Sequence, residues 1–129
     1  MEVKNNETSF MVDYKIENFI GVFKNAYPKE FCEEIINQYN SMVECGYGKT
    51  RIQSENSPKI HKDDVQIFSD EIESIPLRKN IHKFNELFWN YYYRTYENEY
   101  APLKESGSHS NYSFKIQKTK IGGGYHIWH

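Results

Sequence analysis

Long apolar runs are missing from this 129-residue chain. No stretch approaches the roughly 18 to 20 consecutive apolar residues of a membrane-spanning helix, and the opening MEVKNNETSF lacks the apolar segment of a secretory leader. Neither a membrane nor a secretory role is expected. Cysteine is scarce as well: Cys32 and Cys45 cannot build a disulfide scaffold, and neither belongs to a CxxC pair of the zinc or redox type. A reducing cytoplasm is the expected compartment. An excess of one charge is also lacking, with 16 basic against 18 acidic residues for a net of -2, so no long-range pull on nucleic acid or anionic lipid is expected. Hydrophobic residues make up only 38%, below the usual share for a globular domain.

Aromatic residues fill that gap. They reach 16% of the chain, with eleven Tyr, eight Phe and two Trp. Large rings supply much burial per residue, and tyrosines placed inside bring hydroxyls that must find partners. A chain of this length can bury roughly two-thirds of its extended surface, so one domain spanning residues 1–129 is expected.

Residues 1–13 are polar and lack a period, which reads as a loose start. From Tyr14 to Phe23, Tyr14, Ile16, Ile20 and Val22 alternate with Lys15, Glu17, Phe19 and Gly21, the pattern of one strand covered on both faces. Pro28 suits a first helical turn, and Glu30, Glu33 and Glu34 suit the positive end of a helix dipole. Phe31, Ile35, Tyr39 and Met42 then recur at helical spacing until Gly46 and Gly48, predicting a helix over 28–45 with Cys32 buried on its flank. Residues 46–62 read as an exposed connection, and Val65, Ile67 and Phe68 as a short strand.

Pro76 opens a second helix, expected over 76–101, with Leu77, Ile81, Phe84, Phe88, Tyr91 and Thr95 in a 4-3-4-3-4 spacing and an end before Pro102. Its buried face should be Leu77, Ile81, Phe84, Phe88 and Tyr91, with Phe84→Ala costing about 3 to 5 kcal/mol. Lys83 and Asn90 should be exposed. The run Trp89, Tyr91, Tyr92, Tyr93 and Tyr96 could stack on nucleic-acid bases, but Tyr91 and Tyr92 adjoin the stripe, which favours a helix packed on a sheet with tyrosine tips at its rim. His82 and His109 fall in exposed contexts and carry no argument.

After a turn at KESGSHSN, residues 112–119 alternate strictly, with Tyr112, Phe114 and Ile116 facing the helices and Ser113, Lys115, Gln117 and Thr119 facing away. Gly122 to Gly124 then kink the chain, and YHIWH resumes as an extended segment. On a strand His126 and His129 point to opposite faces, so only one of them can ligate a given metal. His61-Lys62-Asp63 is formally a His-x-Asp motif, but no glycine turn or aromatic strand precedes it, and it reads as a solvated charged stretch. Asp63 and Asp64, being adjacent, are a poor carboxylate pair.

The series of helix 28–45, long helix, Ile116-Gln117-Lys118-Thr119, glycine turn and Tyr125-His126-Ile127-Trp128-His129 resembles the N-terminal half of Fe(II)- and 2-oxoglutarate-dependent dioxygenases of the prolyl 4-hydroxylase-like group. The likeness is greatest to small versions from phage and marine bacteria. The resemblance implies an α+β chain, two helices on the first strands of an incomplete double-stranded β-helix, or jelly-roll. It implies that His129 is the first iron ligand, of a His-x-Asp or His-x-Glu motif, within a facial triad of two histidines and one carboxylate. Thr119, where many relatives carry a cosubstrate-contacting Tyr, and Gln117 on the same strand face would line the 2-oxoglutarate site. Ascorbate joins Fe(II) and 2-oxoglutarate as an expected cofactor, and a protein or peptide, such as a prolyl residue, as an expected substrate. The remaining ligands and a basic residue for the far carboxylate are expected beyond residue 129, so this stretch by itself should release no succinate. From another class, the alternative is a non-catalytic α+β interaction module that uses the Tyr-rich helix as its contact surface.

Overall fold

The structure, a computed structural model, describes residues 12–50, 53, 56, 62–69 and 76–126. It is an α+β arrangement of helices and small antiparallel sheets. The chain divides into two compact units, the first built from residues up to 33 together with 83–110, the second from residues 34–82 together with 111–129. No helix among the described residues is long and apolar enough to cross a membrane.

In the first unit the expected single strand is a hairpin, β1 (Tyr14–Glu17) antiparallel to β2 (Ile20–Phe23). Asn18 and Phe19 form the turn, both at positive φ (52° and 64°). Two successive positive φ values give the two-residue turn that matches strand twist, and Asn accepts that conformation readily. The alternation conceals the turn because the pattern resumes in phase across it. Tyr14 and Phe23 stack at 5.5 Å, and Phe23 meets Tyr92 at 5.2 Å. Ile20 and Val22, on the other face, are mostly exposed.

Helix α1 (Lys29–Glu44) follows the prediction to within a residue at each end. The Pro28 carbonyl accepts the Cys32 N–H at its start. Its C-terminus is closed by Gly46 at φ +98°, where the Gly46 N–H donates to the Val43 carbonyl and the Tyr47 N–H to the Met42 carbonyl. A side chain at Gly46 would force a left-handed backbone. Cys32 is exposed, contrary to expectation, and the buried neighbour is Phe31. Residue 31 takes the inward position, and one step along a helix turns the next side chain about 100° away.

The second helical region is interrupted where one regular helix is predicted. Helix α2 (Leu77–Leu87) passes through a π-helical turn at Phe88–Tyr92 into α3 (Tyr93–Glu97), and a separate turn, α4 (Ala101–Glu105), follows with Pro102 inside it. A π turn holds an extra residue and rotates everything after it. Tyr91 and Thr95 of the expected stripe are half-buried, and so are Tyr92 and Tyr96 beside them. Tyr92 packs on Phe23 and Tyr27 and donates to the Ala26 carbonyl, whereas the Thr95 hydroxyl folds back on the Tyr91 carbonyl at 2.8 Å. Leu77 and Ile81 are buried, but Phe84 and Phe88 are 37% and 38% exposed. Lys83 and Asn90 are exposed as expected.

The second unit centres on a three-stranded antiparallel sheet in the order β3 (Lys49–Thr50), β5 (Val65–Phe68), β6 (Lys115–Lys118). A separate ribbon pairs β4 (Lys62–Asp63) with β7 (Gly124–Tyr125). Tyr39, Ile67, Leu77 and Ile81 form the core, with Ile35, Met42, Val43, Phe114 and Ile116 packed against it. The Tyr39 hydroxyl donates to the Val65 carbonyl at 2.6 Å, fixing α1 to the central strand. Strand β6 is shorter than the predicted 112–119, and Tyr112 is fully exposed instead of facing the helices, because the ladder to β5 begins only at Lys115.

Candidate functional site

The sheet face away from the core is where the expected cosubstrate residues fall. Register pairs Ile67 with Ile116 and Gln66 with Gln117. Side chains directly opposite share a face and alternate along each strand, so the isoleucines occupy the core side and the two glutamines the other. Lys115 lies on the glutamine side with its Nζ 5.9 Å from the centroid of the Phe68 ring beside it. Gln117 and Thr119 are exposed, and Thr119 follows directly after the strand.

Gln66 is missed by the sequence reading. It is 0% exposed, although its side of the sheet is opposite the hydrophobic core. Only the alternation Val65, Gln66, Ile67 signals it, and a glutamine at the polar position of an alternating strand ordinarily reads as solvated. The Gln66 amide is removed from solvent on the side of the sheet that it shares with Gln117.

Beyond Thr119 the chain reverses through the glycines. The Gly123 N–H donates to the Lys120 carbonyl at 2.8 Å, and Gly122, at φ +84°, occupies the tip. A Cβ on Gly123 would lie 2.7 Å from the Asp63 carbonyl oxygen, so glycine is required for the ribbon to close. β7 then pairs Gly124 with Asp63 and Tyr125 with Lys62, and His126 follows, exposed. His129, the expected iron ligand, lies outside the described residues, as does His61 of the His-x-Asp decoy. Asp63 is half-buried in β4, and Asp64 beside it is buried. Burial raises the Tyr39 phenol above its ordinary pKa, the backbone of Lys118 partly opposes that, and the Asp64 carboxylate adds to it. Among the described residues, no three His, Cys, Asp or Glu side chains gather as a metal site.

Two other features involve none of these residues. A solvent-open hollow of about 620 Å³ is lined by Gln38, Pro76, Arg78, Lys79 and His82, none of them an expected site residue. In the first unit the tyrosine run turns inward: Tyr92 binds the Ala26 carbonyl, Tyr96 the Phe19 carbonyl and Tyr100 the Phe19 N–H. Tyr96 and Tyr100 are thereby tied to the hairpin turn, and Tyr92 to the segment just after the hairpin. Comparison with protein-family models, curated proteins and solved structures yields no match.

Proposed function

We propose that the chain carries the leading helices and first barrel strands of an Fe(II)- and 2-oxoglutarate-dependent oxygenase of the prolyl 4-hydroxylase-like group, its small sheets belonging to a double-stranded β-helix. One observation carries this reading: Phe114, just before β6, and Ile116 within it pack on the core while Gln117 faces away, and a turn that needs glycine then leads into β7. Gln117 and Thr119 offer an amide and a hydroxyl on accessible positions, which suits hydrogen bonding to the carboxylate of 2-oxoglutarate. Iron is a different case. The described residues do not assemble its donors, and His129 is assigned as a ligand by resemblance alone. When bound, iron would supply the chemistry by which dioxygen oxidises 2-oxoglutarate and the substrate together: one oxygen atom would enter the substrate, the other succinate, and carbon dioxide would leave. The substrate class implied is a protein or peptide, with a prolyl residue as the hydroxylated group.

The test begins with the source gene. An acidic codon at the second position after His129, then a distal histidine and a basic residue, are expected. A chain extended through them should release succinate from 2-oxoglutarate with Fe(II) and ascorbate, and His129→Ala should abolish it. No carboxylate codon at that position, or undiminished turnover in His129→Ala, refutes the reading.

A further inference from the structure

In the second unit, the described residues lining the hollow of about 620 Å³ come from α1 and from the start of α2. The core fixes both helices. Leu77 and Ile81, one turn apart on α2, are buried in one cluster with Tyr39 of α1. The next residue along a helix points about 100° away, so Arg78 and His82, which follow that buried pair, share the adjacent face. Lys79 stands three residues before His82 and neighbours it on the helix surface. From α1, Gln38 brings the amide next to Tyr39, and Asn80 Nδ2 donates to Gln38 Oε1 at 3.0 Å. That bond orients the amide: its oxygen is engaged by Asn80, and its NH2 group, a donor only, is left to the hollow. Arg78 and Lys79 likewise carry donors and no acceptor, and an imidazole always keeps at least one N–H. Lys79 and His82 form no ion pair or hydrogen bond with any described residue. Among the described residues no carboxylate lines the hollow. The whole chain has a net charge of -2, so this gathering of donors is local and not a sample of a basic surface.

We propose that this hollow binds the phosphoryl group of a soluble small molecule. Guanidinium, ammonium, imidazole and amide are four donor-bearing groups around one space. A carboxylate answers them with two acceptor oxygens, a phosphoryl group with three and a higher charge. Arginine grips such a group through paired N–H bonds, and lysine adds a point charge. The hollow is also larger than a phosphate and falls within the roughly 300 to 1,000 Å³ of small-molecule sites. Room remains for an organic portion, which would lie against Pro76, the one apolar side chain among the described lining residues. The site uses none of the residues of the oxygenase reading and stands or falls apart from it.

The experiment is an NMR titration of the ¹⁵N-labelled full 129-residue chain with sodium pyrophosphate, against sodium chloride at matched ionic strength. Pyrophosphate should shift the amides of residues 38 and 78–82 and saturate at about millimolar concentration or below, and chloride should not. Gln38→Glu keeps an oxygen to accept from Asn80 and exchanges the NH2 donor for an anionic oxygen. It should weaken pyrophosphate binding at least about five-fold, with the Asn80 side-chain amide signal in place. Lys79 and His82 are exposed, so Lys79→Gln combined with His82→Gln tests the site without touching the core and should weaken binding by a similar factor. Shifts that stay linear in concentration, or spread evenly over the lysines of the chain, overturn the proposal. So does undiminished binding in the double variant, or in Gln38→Glu with the Asn80 signal unchanged. Retention on vesicles containing phosphatidic acid, with no response to soluble pyrophosphate, overturns it in favour of a membrane phosphate.

Discussion

The Tyr96 hydroxyl donates to the carbonyl oxygen of Phe19 at 2.7 Å, joining residues 77 apart in sequence. Tyr100, four residues on, accepts the Phe19 N–H at 3.0 Å and stacks on the Phe19 ring at 4.9 Å. Two tyrosines thus hold both polar groups of one turn residue, and that residue has a φ of 64°, which costs a non-glycine residue about 1 to 2 kcal/mol. Tyr96→Phe should destabilise the chain by about 1 kcal/mol in urea unfolding. Phe19→Gly removes the backbone strain but also the stacking, which is worth about 0.5 to 1.5 kcal/mol, so its net effect should lie near zero. A loss above about 2 kcal/mol for Phe19→Gly would show that the turn carries no strain to relieve.

Core truncations should rank by burial and not by ring size. Leu77 is fully buried among Tyr39, Ile67 and Ile81, so Leu77→Ala should cost about 2 to 5 kcal/mol. Phe84 is 37% exposed and stacks on Tyr27 at 4.3 Å with 10° between planes. Its removal opens no closed cavity, and Phe84→Ala should cost about 1 to 2 kcal/mol, less than its place in the sequence stripe implies. Denaturant midpoints of the two variants decide the order.

Alkaline stability should be governed by buried phenols. Tyr27 donates to the Phe84 carbonyl at 3.0 Å. Burial first, then Tyr92 and Cys32, push its ionisation well above the ordinary tyrosine range. Burial also raises Tyr92. A phenol with a raised folded-state pKa contributes stability that is whole below the unfolded value, about pH 10, and is lost as pH rises from there towards the folded value. Unfolding free energy should therefore be flat with respect to these groups at neutral pH and fall above about pH 10. Tyr27→Phe should be less stable than the parent at pH 7 through the lost hydrogen bond, and the gap should close as pH rises past 10. A constant gap across that span would show that Tyr27 does not titrate on unfolding.

Local patterns in the sequence carried the elements whose signal is local. Helix α1 was legible because an apolar stripe, an acidic start and Gly46 agree with one another, and strand β5 because three apolar residues stand between polar stretches. The turn at Asn18-Phe19 was not, since a hairpin that keeps the period intact resembles one strand. The π turn at Phe88–Tyr92 was also illegible: an aromatic-rich stretch looks helical at either phase, and the packing of Tyr92 on Phe23 and Tyr27 joins residues far apart in sequence. In the candidate site, the outward placement of Gln117 follows from alternation alone. The burial of Gln66 depends on which surface covers that side of the sheet, information that no window around residue 66 holds.

The glycine turn separates two kinds of glycine requirement. Gly122 sits at φ +84°, and a Cβ added there would meet nothing within 4 Å, so Gly122→Ala encounters only backbone strain, about 1 kcal/mol. Gly123 has the opposite problem: its added Cβ would stand 2.7 Å from the Asp63 carbonyl and 3.2 Å from that of Lys120, both backbone atoms that cannot swing aside. Gly123→Ala must therefore push β7 away from β4 and break the pairing of Gly124 with Asp63. Amide exchange and cross-strand NOEs at residues 63 and 124 should be retained in Gly122→Ala and lost in Gly123→Ala. Retained pairing in Gly123→Ala would show that the turn opens without cost.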